Sequence, residues 1–327
     1  MRRRPLGATL LALLAALLAP AAASAHLRTG TVAVGYAAAV TSPPSAAYSV
    51  GVYRSDLAVH LTVRPGHAVT VRGYLGEAFF RVGPAGVSVN DASPTAAASG
   101  LLAKDAPRSG WTLHAGERTV TWHDTRVSQL RKGATSAAWS IPLRVDGRAA
   151  AIAGVTRRLP SPSLWPWLAL LAATGAAALV LVRLRGAGRT AVALGTIAAV
   201  AGAVTALAFA LDSYASPGTW IAGLDELAFV AAGCLVLAFG PGAFRVGAGL
   251  GLGLLGLAIA LSKGEMFLRA DVLSVLPGGV ARTVASLAIG AGAAAAVAGG
   301  AALVASADHG EHPAVHQPPP GMRSSRR

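Results

Sequence analysis

The sharpest chemistry in this sequence comes from its histidines and the carboxylates beside them. His26 follows Ala23-Ser24-Ala25, a small-x-small cleavage pattern. Cleavage there makes His26 the first residue, and a terminal histidine offers its amino nitrogen and Nδ1 to one metal ion, a chelate suited to Cu(II). A second histidine and a carboxylate have to complete such a site. The supply is His60, His67, His114 and His123, with Asp124 next to the last. His123 and Asp124 belong to Trp122-His123-Asp124-Thr125-Arg126, the densest polar cluster in the first half of the chain. That segment has two readings. In one, His123 and Asp124 ligate or orient a metal ion. In the other, Trp122 anchors a core while Asp124 and Arg126 pair at a strand end. The candidate metal set is thus His26, His123 and Asp124, with copper as the cofactor. The competing reading makes His26 an incidental first residue.

Two further polar segments look like turns. Glu77 follows Gly73-Tyr74-Leu75-Gly76, and Asn90-Asp91-Ala92-Ser93-Pro94 has the composition of an Asx or Ser/Thr turn. No Ser-His-Asp spacing, GxSxG, HExxH, Walker A or GxGxxG context is present. No catalytic residue and no enzyme activity is expected. The single cysteine, Cys234, excludes a disulfide framework.

These residues have to be positioned by an unusual chain. Of 327 residues, 54% are hydrophobic and 13% charged, with a net charge of +14. Soluble domains carry about 25% charged residues. Arg2-Arg3-Arg4 and the apolar run Leu6 to Leu18 precede the cleavage pattern, so residues 1–25 read as a signal peptide. Residues 26–160 alternate apolar and polar positions between turns such as Pro65-Gly66, Gly83-Pro84 and Asp146-Gly147. Eight or nine short strands at ~8–12-residue spacing predict an all-β, Ig-like sandwich. The stretch 91–109 lacks this pattern and reads as a long loop with a helical turn near Thr95 to Ala103.

After Pro160 the pattern changes. Apolar runs at 165–182, 191–211, 221–239, 246–262 and 280–305 predict an α-helical transmembrane bundle of about five helices within 161–306. Residues 307–327, with His309, His312, His316 and a Pro run, read as a disordered tail. Arg183, Arg185, Arg189 and Arg245 sit in alternate loops, whereas the loop 212–220 has no Lys or Arg and the loop between the last two runs has Lys263, Arg269 and Arg282, partly offset by Glu265 and Asp271. The positive-inside rule then puts the β-domain outside the cell membrane and the tail in the cytoplasm. Asp212, Asp225, Glu226, Lys263 and Glu265 fall together at the expected outer ends. They form a charge cluster that either pairs helices or serves transport. Residues 26–163 hold 15 Lys/Arg against 7 Asp/Glu. No nucleic-acid motif accompanies that excess, which suits anionic headgroups, acidic wall polymers or plain solvation.

The signal, the terminal histidine, the β-sandwich and the membrane helices together resemble CopC-type copper-binding proteins and their fusions to CopD-type membrane domains. That resemblance implies His26 as a copper ligand. The family's later Asp-x-His motif has no counterpart at Val145-Asp146-Gly147-Arg148. Three motifs are also similar to those of uncharacterised membrane-anchored ectodomains of high-GC Gram-positive bacteria. They are Gly73-Tyr74-Leu75-Gly76-Glu77-Ala78, Asn90-Asp91-Ala92-Ser93-Pro94 and Trp122-His123-Asp124-Thr125-Arg126. Ala78 stands for that group's proline and Thr125 for its second histidine. No activity follows from this likeness.

The expected function is a non-enzymatic integral membrane protein of the cell envelope. Its partners are the lipid bilayer and an envelope protein or ligand, not nucleic acid. Extracytoplasmic metal handling and a small transporter subunit are the alternatives.

Overall fold

The computed structural model describes residues 31–53, 55, 58–99, 110–128, 130–212 and 217–308. The side chains of 217–223, 225, 242, 243, 307 and 308 are not among those described. The signal, His26 and the tail beyond 308 lie outside the described residues.

The strands are β1 (Ala33–Val34), β2 (Tyr36–Val40), β3 (Tyr48–Tyr53), β4 (Ala58–Val63), β5 (Val69–Arg72), β6 (Ala78–Gly83), β7 (Gly86–Asn90), β8 (Trp111–Ala115), β9 (Thr119–Trp122), β10 (Ser136–Val145) and β11 (Arg148–Arg158). A short helix, α1 (Pro94–Ser99), interrupts them. A seven-stranded sheet runs β2-β11-β10-β5-β6-β7-β8 and a three-stranded sheet runs β3-β4-β9. The period-2 pattern explains which faces meet. Val59, Leu61 and Val63 of β4 turn inward, while His60 and Thr62 turn out. Val69, Val71, Phe80, Val82, Val87, Ile141 and Ile152 meet them from the larger sheet, all fully buried. Each such side chain contributes about 1.5–3 kcal/mol of burial. Phe80 stacks edge-on against both Phe79 and Trp122, at 4.7 and 4.9 Å between ring centroids.

The predicted sandwich is therefore present, with two additions. β8 forms where no alternation is legible, because an edge strand is exposed along nearly its whole length. A twelfth strand, β12 (Asp271–Val272), lies far along the chain between membrane helices.

Five helices follow the sandwich: α2 (Trp165–Arg185), α3 (Ala187–Ala210), α4 (Pro217–Phe239), α5 (Gly242–Ser262) and α6 (Gly278–Asp308). Four contain spans long and apolar enough to cross a membrane, and in α4 the stretch Glu226–Phe239 is a shorter apolar helix. Helices α3, α5 and α6 form the centre of the bundle, α2 lies against α6, and α4 against α3 and α5. The centre is tight because glycines face glycines. A Cβ on Gly249 would lie 2.8 Å from the Val192 Cα, and one on Gly202 2.9 Å from the Gly256 Cα. Such contact leaves no room for a side chain and brings the α3 and α5 backbones together. Small residues thus do pack these helices, a role the uniformly Ala- and Gly-rich sequence leaves undecided.

The two halves are joined. β1 pairs antiparallel with β12, Ala33 opposite Val272 and Val34 opposite Asp271. Leu273 N–H donates to Val32 O at 2.9 Å and Val275 N–H to Ala208 O at 2.9 Å. Val32 and Ala33 bury against Phe209, Met266, Val272, Ala281 and Ala285. The start of the β-domain is thereby built into one end of the bundle, where α3 finishes and α6 begins.

Candidate functional site

The three motif segments, distant in sequence, converge at one edge of the sandwich. The Gly73–Glu77 turn joins β5 to β6. The Asn90–Pro94 loop leaves β7 and caps α1. The 122–126 segment ends β9. Glu77 is the hub. Its Oε1 accepts from Ser93 Oγ and Thr95 Oγ1, both at 2.7 Å, and from Thr95 N–H at 3.3 Å. Its Oε2 accepts from Leu75 N–H at 3.0 Å. Thr95 Oγ1 also accepts from Tyr74 N–H at 2.7 Å, and Ser93 Oγ accepts from Ala96 N–H at 3.2 Å. A carboxylate therefore sits at the start of α1, where free amides and hydroxyls favour negative charge. Partial burial acts to raise the Glu77 pKa, but the Thr95 and Ser93 hydroxyls and the backbone amides outweigh it and lower it to about 2.

The Gly-Tyr turn meets the third motif through Tyr74. Its hydroxyl accepts from Thr125 N–H at 3.0 Å, and the Arg126 guanidinium lies 5.0 Å above its ring. Arg126 also donates to Arg72 O at 3.2 Å. Its main partner is Asp124. Arg126 Nε and N–H reach Oδ1 at 2.9 and 3.1 Å, Arg126 Nη2 reaches Oδ2 at 2.7 Å, and Trp122 Nε1 reaches Oδ2 at 3.0 Å. Asp124 is 1% exposed. An ionised carboxylate has about four acceptor sites, and here all four are filled. The carboxylate is therefore spent on holding Trp122 and Arg126, and does not fit a metal ligand in this arrangement. This is the strand-end pairing reading of the segment.

His123 is half-buried beside this cluster. His60 Nδ1 bonds Thr121 Oγ1 at 2.8 Å on the outer face of the small sheet. His67 Nδ1 bonds Asp146 Oδ2 at 2.8 Å, tying the β4–β5 turn to the β10–β11 hairpin. That bond, followed by Ala68 N–H, holds the Asp146 carboxyl below its ordinary range. His114 is exposed on β8. The histidines thus sit in separate places, and no group of three His, Cys, Asp or Glu that could hold a metal ion occurs among the described residues. His26 lies outside them.

The charge cluster of Asp212, Asp225, Glu226, Lys263 and Glu265 is divided. Asp212 is 6% exposed and accepts from the Tyr53 hydroxyl at 2.8 Å. Lys263 sits with its ammonium 5.8 Å from the Phe209 ring centroid, and its charge attracts Glu226. Glu265 pairs with Arg269 at 3.1 Å, one helical turn on. Asp225 lies in α4, and its side chain is not among those described.

Three members of the junction were not legible as site residues. Asp271 Oδ2 accepts from Ser55 Oγ at 3.0 Å, and Ser55 Oγ also reaches Tyr36 O. Arg282, 7% exposed, donates to Met266 O and Arg269 O at 2.6 Å each and to Ala270 O at 2.9 Å. It gathers the α5–α6 loop that carries β12. Ser55 has a positive φ, 66°, which is uncommon in a non-glycine residue. Only three-dimensional pairing gives Ser55, Asp271 and Arg282 their partners.

Comparison with family models, with curated proteins and with solved structures finds no match for this chain.

Proposed function

We propose that the protein is a multi-pass envelope membrane protein whose β-sandwich is exported and acts as a non-enzymatic binding module, held in fixed pose on the outer end of its helices. The observation that carries this reading is the junction. β1 pairs with β12, Tyr53 with Asp212 and Ser55 with Asp271, so one domain grips two inter-helix segments at once. A flexible tether would suffice for an anchor alone. A built joint fixes which surface of the sandwich faces away from the bilayer.

Orientation is supported by charge. Arg183, Arg185, Arg189 and Arg245 belong to the ends of the helices remote from the junction, and Lys and Arg favour the cytoplasmic side. The test uses Cys234→Ala as background. Glu117→Cys, on the β-domain, reacts with a membrane-impermeant maleimide in intact cells. Ser306→Cys, near the end of α6, reacts only after permeabilisation. The reverse pattern overturns the reading.

A further inference from the structure

Charge is distributed very unevenly over the seven-stranded sheet. Its strands contain six arginines, Arg72, Arg81, Arg144, Arg148, Arg157 and Arg158, no lysine, and no Asp or Glu. Four of the domain's seven carboxylates have partners off this row. Glu77 and Asp124 are locked in the motif cluster, Asp146 is bonded to His67, and Asp91, 4% exposed, accepts from Thr112 Oγ1 at 2.5 Å.

Register places part of that charge in one row. Arg144 pairs with Thr70, Thr70 with Arg81, Arg81 with Ser88, and Ser88 with Leu113. Directly paired residues of neighbouring strands point to the same face. The alternate positions Val69, Val71, Val82, Val87 and Leu143 fill the core, so this row lies on the opposite, outward face. Arg81 and Arg144 are two strand spacings apart, about 10 Å, with the Thr70 hydroxyl between them. Neither forms a salt bridge among the described residues. The Arg81 guanidinium lies 4.5 Å above the Trp111 ring, which braces it. Beside the row, Pro142, Ala149 and Ala151 make a low, uncharged floor.

We infer that this outward face binds a linear, phosphate-bearing anionic polymer of the cell envelope. The inference rests on the proposed function, for it names the ligand class of the exported module. Charge complementarity selects a polyanion. A guanidinium fork takes two oxygens of one phosphate group where a lysine ammonium offers a point charge; it takes a carboxylate in the same way, so poly-glutamate is the comparison ligand in the test. Arg81 and Arg144 offer two anchors about 10 Å apart, and an extended chain can bridge them over the small residues beside the row.

The test uses the full chain in nanodiscs of phosphatidylcholine and, as probe, a synthetic glycerol-phosphate oligomer. Binding is expected to fall steeply with salt, and the Arg81→Gln/Arg144→Gln double variant to weaken it about tenfold or more. Arg131→Gln/Lys132→Gln removes the same charge from an exposed loop and is expected to change binding less than threefold. A melting temperature within 2 °C of the parent shows that each variant is folded. Equal loss in both double variants shows a response to net charge alone and overturns the inference, as does binding insensitive to salt. A stronger response to poly-glutamate overturns the phosphate assignment. Cysteine labelling separates the two claims. If Glu117→Cys labels from outside and the oligomer does not bind, only this inference fails.

Discussion

The Tyr53 hydroxyl donates to Asp212 Oδ1 at 2.8 Å, and these two residues stand 159 positions apart in separate domains. Tyr53 closes β3 of the sandwich, while Asp212 follows the last turn of α3. The bond occurs where β1 and β12 pair, so a side-chain contact and a backbone ladder secure the same joint.

Removing the hydroxyl tests that joint. Tyr53→Phe keeps the ring and leaves a buried carboxylate oxygen without this donor, a loss of about 1.5–3 kcal/mol when the acceptor is charged. The loss is expected at the junction rather than in the sandwich core. Hydrogen exchange is expected to quicken at Leu273, whose amide bonds Val32 O, and to stay unchanged at Leu61 and Val71. Uniform quickening of all three would show that the bond supports global folding and not the joint.

Glu77 sets an acid limit on the motif cluster. Its folded pKa of about 2 lies below the ordinary value of 4.5, so its stabilisation is complete above that ordinary value. It is lost as pH falls from there through about 2. Because the group is partly solvent-facing, screening reduces the contribution to about 1–2 kcal/mol. Melting temperatures are compared between about pH 5.5 and about pH 2.5 for the parent and Glu77→Gln. The gap between them is expected to narrow as pH falls. A constant gap would sink the assignment of Glu77 as the charged hub.

The glycine contacts of the bundle predict a size limit. Gly249→Leu forces a side chain into the α3 backbone beside Val192, at a cost of about 1–3 kcal/mol or more from overpacking. Gly251→Leu serves as the control, since a Cβ there meets nothing within 4 Å. Detergent-solubilised Gly249→Leu is expected to melt several degrees lower than the control. Matching melting temperatures would mean that the α3–α5 approach is not required for stability.

Much of the candidate site was written in the sequence, but not its wiring. Asp124 and Arg126 are two residues apart, so their pairing was one of two local readings, and the geometry selects it by filling every acceptor site of the carboxylate. Glu77 looked like a residue of a turn. Its role depends on Ser93 and Thr95, which a helix cap brings to it from beyond β7. The sequence groups Lys263 with Asp225 and Glu226 in one charge cluster. It also rests over Phe209, a contact that no charge pattern signals.

The sequence by itself determined the two halves of this protein, because periodicity is a local property. Alternation marks strands whose one face is buried, and long apolar runs mark helices able to cross a bilayer. It also determined the basic excess of the first half and the absence of Lys and Arg from the loop 212–220. Only the tertiary structure decided how the halves meet. β1 and β12 hold two residues each, too short for any periodic signal, and their partners are separated by most of the chain. Strand register likewise decided that Arg144, Thr70 and Arg81 share one row. Such pairing is set by long-range backbone hydrogen bonds and core packing, which no short window of sequence contains.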